Sequence, residues 1–180
     1  MTTIRLVGIA GSLREKSTNK GLLRAAQSTL PENVSLDIVN LNDVPFYNAD
    51  IAQQPDSVKA IIQQVKKADG LVLACTEYNY SIAPALKNIL DWLSRDEDPK
   101  LLAGKPVAIM GSGGGMGTSR AQYHLRQVCV FLDLRPLNKP EVFSNAYSGS
   151  FDVDGNLIDD KLKGLISQQI SALAGAISRA

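Results

Sequence analysis

The feature that most constrains this chain is an alternation, sustained from one end to the other, between short apolar runs and longer stretches of helical period. Ile4 to Ala10 is largely apolar and β-branched, and glycine and serine follow it. Thr18 to Leu30 has helical spacing, with Leu22, Leu23 and Ala26 on one face and Pro31 after it. Val34 to Leu41 alternates as a strand does, and Ser57 to Ala68 is a helix striped by Val58, Ile61, Ile62 and Val65. Gly70 to Cys75 is a continuous apolar strand, and Pro84 to Leu93 a helix with Ser81 as a nearby cap. Pro106 to Met110 is another buried strand, and Ser119 to Leu132 a long helix. Leu134 to Phe143 is a fifth strand made irregular by two prolines. Asp159 to Ser178 is an amphipathic helix with Leu162, Leu165, Ile166, Ile170 and Leu173 inward. Strands that are apolar at nearly every position must be covered on both faces. Five β-α units of this kind predict a parallel sheet with helices on each side.

A chain of 180 residues fits one such domain, residues 1–180, with a single sizeable core. No repeat or low-complexity linker divides it, and the polar, Gly-rich segment from Ser144 to Asn156 is the best candidate for a mobile loop. A net charge of +1 gives no general attraction to nucleic acid or to anionic membrane. Cys75 and Cys129 form no disulfide framework, zinc knuckle or CxxC pair, and both sit in apolar runs as buried thiols do. No apolar stretch approaches the ~20 residues of a membrane span. The stretch from Met1 to Ala10 lacks the pattern of a secretory leader, so the chain is expected in the cytoplasm.

In a sheet of this type a ligand sits beyond the carboxyl ends of the strands, near the point where the strand order reverses. Three loops meet that description. Gly11 to Asn19 has neither the glycine and lysine spacing of a Walker loop nor a GxGxxG fingerprint. It is a hydroxyl-rich loop that opens a helix. Free N–H groups and the helix dipole suit a phosphate there, with Ser12, Ser17 and Asn19 as donors and Arg14 as a charged fork. The plain alternative is an N-cap among surface polar residues. Thr76 to Pro84 carries Tyr78, Asn79 and Tyr80, aromatic faces and an amide that can flank a flat ring, or tyrosines that merely pack on neighbours. Gly111 to Thr118 holds five glycines in seven positions, as either close approach of bare backbone or simple flexibility would require.

The segments GSLREKSTN, EYNYSIAPALKNILDWLSR, LAGKPVAIMGSGGGMGTSRAQYHLRQV and NKPEV resemble the NADPH-dependent FMN reductase family, in its bacterial quinone and chromate reductase branch, with azoreductase-type relatives. The likeness runs from the first strand to about Phe143. It implies a flavodoxin-like three-layer sandwich with five parallel strands in the order 2-1-3-4-5. It also implies non-covalent FMN, NADPH or NADH as co-substrate, quinones as acceptors and assembly as a homodimer or homotetramer. Chromate, azo compounds and ferric complexes are further acceptors of such enzymes. Carried over by motif position, Ser12, Leu13, Arg14, Ser17 and Asn19 hold the FMN phosphate. Glu77, Tyr78, Asn79 and Tyr80 border the ribityl chain and ring, and Ser112, Gly113 and Gly114 approach the isoalloxazine. Arg120 and Tyr123 fall in the subunit contacts. Thr76 departs from the pattern, since many relatives carry proline before the EYN.

The same resemblance assigns hydride transfer to flavin N5, so no side chain is singled out as catalytic. His124 reads as structural or interfacial, Trp92 as core, Asp96 to Asp98 as a solvated turn, and Lys66 and Lys67 as a solvated helix end. Two other classes compete. A single-electron flavodoxin-type carrier docks basic partners through strong acidity, which a net charge of +1 lacks. A receiver-like signalling domain needs acidic residues after strand one, where Gly11 and Ser12 stand.

Overall fold

A computed structural model describes residues 3–179. Its first strand, β1 (Ile4–Ala10), is buried from Leu6 onward, as its apolar sequence requires. The chain continues through α1 (Thr18–Ser28), β2 (Val34–Ile38), α2 (Asp56–Lys67), β3 (Gly70–Ala74), β4 (Glu77–Tyr78), β5 (Ser81–Ile82) and α3 (Pro84–Leu93). Then follow β6 (Pro106–Gly113), α4 (Ser119–Phe131), β7 (Arg135–Pro136), β8 (Val142–Asn145) and α5 (Asp160–Ile177). The main sheet is parallel, in the order β2-β1-β3-β6-β7, and β8 also pairs with β6. With β6 as the fourth strand and β7 and β8 as two pieces of the fifth, this is the expected 2-1-3-4-5 order.

Alternation along each strand sends side chains to two separate cores. Leu6, Ala10, Val72, Ala74, Ala108 and Met110 pack against Leu22, Leu23 and Ala26 of α1 and Ile166, Ile170 and Leu173 of α5. Val7, Ile9, Leu71, Leu73, Val107 and Ile109 face α2, α3 and α4 through Val58, Ile61, Ile89, Leu90, Leu125 and Cys129. Burying one such aliphatic side chain stabilises by roughly 1.5–3 kcal/mol. Either helix layer therefore contributes more than a typical net stability of about 5–15 kcal/mol, and the sheet needs both. Trp92 belongs to the second core, 4% exposed, with Tyr47 edge-on to it at 5.1 Å.

Five local expectations are corrected. The fifth strand breaks between Pro136 and Val142, around the cis Lys139–Pro140 bond, so the irregularity forecast from the prolines is a complete interruption. The fourth strand runs on to Gly113, which makes the first glycines of the third loop part of the sheet. Ser81 does not cap α3: Ala83 takes that place and makes no side-chain cap bond. The Ser144–Asn156 segment is fastened rather than loose. Asp152 Oδ1 accepts from the N–H groups of Asp154 and Asn156 at 2.9 and 2.8 Å, Lys16 Nζ meets Asp154 at 2.8 Å, and Arg24 Nε donates to Asn156 at 2.8 Å. Gly155, at φ +75°, lies against the carbonyl of Lys16. Lys66 is likewise not simply solvated, because it pairs at 3.1 Å with Asp96, whose side chain is only 7% exposed.

Candidate functional site

The register of the sheet decides what stands at its carboxyl edge. Ala10 is paired with Ala74, and Ala74 with Met110, on three adjacent strands. Two residues beyond each of these come Ser12, Thr76 and Ser112. All three are buried, at 2%, 5% and 3% exposure, and none of the three hydroxyl oxygens has a hydrogen-bond partner. Buried hydroxyls without partners are rare, because each forfeits roughly 1–3 kcal/mol of hydrogen bonding. Among the described residues only one other buried side-chain atom is orphaned, Gln169 Oε1, and Gln169 already donates to Ile109 and Pro140 beneath the sheet. Three orphans in a row at one edge call for a polar ligand.

Around this row the three loops converge. Ser17 is the N-cap of α1 and accepts from Lys20 N–H at 3.4 Å, and the first turn holds no acidic residue to offset the helix dipole. Arg14 and Leu13 are exposed beside it. Arg14, Lys16, Thr18, Tyr78 and Tyr147 share the wall of a cavity of about 390 Å³, which joins the first loop to the second. Larger cavities lie elsewhere, of about 460 and 540 Å³, one lined by Tyr47 and Trp92 and the other by His124 and Phe131. None of these three cavities is itself lined by an orphaned polar atom, so the free hydroxyls at the strand ends, and not cavity size, carry the assignment.

The second loop is a two-rung antiparallel hairpin, Glu77 opposite Ile82 and Tyr78 opposite Ser81. Asn79 and Tyr80 turn it at φ +50° and +69°, as a type I′ turn demands. Asparagine tolerates that conformation; a tyrosine in it carries backbone strain. The hairpin is held from outside by α4. Glu77 Oε2 accepts from Ala121 N–H at 3.1 Å, Glu77 Oε1 from Arg120 at 3.3 Å, the Arg120 guanidinium sits 4.0 Å over the Tyr80 ring, and Ser81 Oγ meets His124 Nδ1 at 3.1 Å. The Glu77 carboxylate therefore faces α4, which leaves its main chain as the part that can border a ligand. Tyr78, Asn79 and Tyr80 are exposed as a ring-flanking role requires.

In the third loop the glycines divide. A methyl at Gly111 or Gly113 would run into Thr118 or the backbone of Gly117, so these two serve internal packing. Gly114 and Gly115 have nothing within 4 Å of where a methyl would stand, and they present bare backbone to open space. Asn19 has a second engagement that the sequence does not announce. Its Nδ2 donates to the Ser112 carbonyl at 2.8 Å and its Oδ1 accepts from Ser112 N–H at 2.9 Å, so its amide is anchored to the sheet. Thr76, which the sequence marks only as a departure from the family pattern, supplies one of the three free hydroxyls. No metal-holding group of His, Cys, Asp or Glu occurs among the described residues. Burial and the nearby Glu77 carboxylate push the Cys75 thiol up to about 12, which removes it as a nucleophile at neutral pH.

An anion-ready helix start, a row of unpartnered hydroxyls, an aromatic hairpin and an open glycine backbone fit the phosphate, polyol and flat ring of FMN, in that order across the edge. Residues 4–149 match the model of the family described as NADPH-dependent FMN reductase. An NAD(P)H-dependent FMN reductase of Pseudomonas aeruginosa is 46% identical over 173 residues, covering 94% of this chain and 93% of that protein. A quinone reductase of Escherichia coli K12 is 38% identical over 98% of this chain and 96% of its own length. The solved flavoenzyme NAD(P)H:(acceptor) oxidoreductase of Paracoccus denitrificans superposes with a TM-score of 0.87 at 25% identity, covering 98% of each chain. The chain belongs to the NADPH-dependent FMN reductase family.

Proposed function

We propose that this protein is an FMN-dependent NAD(P)H oxidoreductase that passes electron pairs to quinones, with chromate, azo compounds and ferric complexes as further acceptors. The observation that carries it is the row of buried, unpartnered hydroxyls of Ser12, Thr76 and Ser112 across three adjacent strand ends. Arg14, Leu13 and Ser17 with the open N–H groups of α1 hold the phosphate, where opposite charge and the helix dipole act together. The three hydroxyls line the path from phosphate through polyol to ring, Ser12 at the phosphate end and Ser112 at the ring end. Tyr78, Asn79 and Tyr80 border the ring, whose other side meets the open backbone of Gly114 and Gly115, Gly113 being packed against Gly117 instead. FMN, when bound, supplies the redox chemistry, accepting a hydride from NAD(P)H and giving the electron pair to the acceptor. The chain's own task is positioning and electrostatics: backbone N–H groups of the glycine loop stabilise negative charge on the ring, and no side-chain acid or base is required.

The protein works in the cytoplasm as a homodimer or homotetramer. No helix among the described residues is long and apolar enough to cross a membrane. The assembly is supported by the outer face of α4, where Tyr123, Val130 and Phe131 are 59%, 81% and 78% exposed, with Tyr123 one turn from Arg120. The test is titration of the flavin-free chain with FMN, followed by NADPH and NADH consumption with benzoquinone. Saturable binding and steady turnover are expected. No FMN binding sinks the proposal, and FMN binding without nicotinamide oxidation reassigns the chain to single-electron carriage.

A further inference from the structure

Asn19 is the second residue of α1, 3% exposed, and its carboxamide both donates to and accepts from one residue 93 positions away. Along β6 the Met110 carbonyl accepts from Cys75 N–H at 2.8 Å. Beyond that rung β3 has ended, and the chain turns aside into β4. Ser112 is two residues on and points its main-chain groups the same way, so the sheet offers it no partner on that side. A carboxamide carries the same donor and acceptor as a peptide group. Nδ2 donates to the Ser112 carbonyl at 2.8 Å and Oδ1 accepts from its N–H at 2.9 Å, continuing the ladder by one rung. On the opposite edge of β6 the Gly113 carbonyl accepts from Ala146 N–H at 2.7 Å, so this end of the strand is pinned on both sides.

We infer that Asn19 is a positioning residue, a side-chain rung that ties the glycine loop 111–117 to the first turn of α1 and presets the offset between the ring-facing backbone and the phosphate-facing helix end. This rests on the flavin proposal above. It differs from a role as phosphate ligand in a measurable way. A phosphate ligand discriminates FMN from riboflavin, whereas a tie between the two loops serves both flavins alike.

The experiment measures dissociation constants of FMN and riboflavin, by quenching of flavin fluorescence, for the wild-type chain, Asn19→Ala, Asn19→Asp and Arg14→Ala. The aspartate keeps the shape and the acceptor for Ser112 N–H but sets a lone pair against the Ser112 carbonyl. Asn19→Ala should weaken FMN and riboflavin by the same factor, roughly tenfold or more, while Asn19→Asp, which also sets a negative charge in the first turn of α1, should weaken riboflavin as the alanine does and FMN further. Arg14→Ala should weaken FMN by about ten- to a hundredfold and leave riboflavin unchanged, because only FMN carries the phosphate. Loss of FMN affinity alone in the Asn19 variants would make Asn19 a phosphate ligand and overturn the inference, as would unchanged affinity for both. A wild-type chain that binds neither flavin would fail the underlying proposal instead. Should the variants not fold, amide hydrogen exchange of the flavin-free wild type decides: Ser112 N–H is expected to be protected, and exchange as fast as at exposed Gly115 refutes the rung.

Discussion

Substituting Gly111 by alanine tests the claim that the glycines of the third loop do two different jobs. A methyl there would overlap Thr118 Oγ1 and stand 2.6 Å from the Cys75 carbonyl oxygen. Thr118 is fully buried and its hydroxyl accepts from Gln122 Nε2 at 3.0 Å, so it has no free direction in which to retreat. Overpacking of this type costs about 1–3 kcal/mol, and disturbing the Gln122 bond adds about 1 kcal/mol. The stiffer unfolded chain gives back about 0.4–1 kcal/mol. The net loss is about 1–3.5 kcal/mol, which for a chain of this size lowers Tm by roughly 2–14 °C. Gly114→Ala is the matched control. Its methyl meets nothing within 4 Å and its φ is not in the left-handed region, so only the unfolded-state gain remains and Tm should hold or rise slightly. In FMN titrations the order reverses: the Gly114 methyl occupies the ring-facing space and should weaken binding about tenfold. Thermal melts of the flavin-free proteins followed by circular dichroism read the first contrast. A Gly111→Ala protein that melts with the wild type, or a Gly114→Ala protein that melts several degrees below it, refutes the division.

Three further outcomes follow from the same geometry. Burial raises the Cys75 and Cys129 thiols from 9.0 to about 12 and about 11, so both stay protonated in the fold while the unfolded chain ionises. Stability should hold below pH 9 and fall as pH rises toward 11–12, by up to about 1.4 kcal/mol per unit per thiol; urea midpoints at pH 8 and pH 10 check this, and a Cys75→Ala, Cys129→Ala protein should flatten the slope. Glu77→Ala strands the Ala121 N–H and frees Arg120, and should cost about 1–2 kcal/mol with faster amide exchange in the first turn of α4; Glu77→Gln, which keeps an acceptor, should recover most of it. Phe131→Asp, at a side chain 78% exposed, should leave the melting temperature within a degree or two yet lower the sedimentation coefficient; an unchanged coefficient removes that face from the interface.

The five β-α units were legible because the central strands β1, β3 and β6 are covered on both faces and each helix shows one stripe. Val58, Ile61, Ile62 and Val65 were readable as a stripe, and all are at most 3% exposed. The three loops were legible too, since they follow the strand ends where ligands of parallel sheets gather. What was hidden is non-local. Two-residue strands have no periodicity, and Asn79-Tyr80 lacks the Asn-Gly signal of a type I′ hairpin, so β4 and β5 left no trace. Asn19 looks like any polar residue at a helix start, and only the fold shows that its partner is Ser112. That Thr76 lacks a partner depends on everything around it, which no local pattern encodes.

The alignment of Ser12, Thr76 and Ser112 has a consequence for how such a site can change over time. Neighbouring strands stand about 4.8 Å apart because peptide hydrogen bonds fix that distance. The hydroxyls are thus marks on a scale graduated by the main chain. Mutation can erase a mark or change its chemistry, but no side-chain replacement can alter the interval, so new ligands must conform to the scale already there.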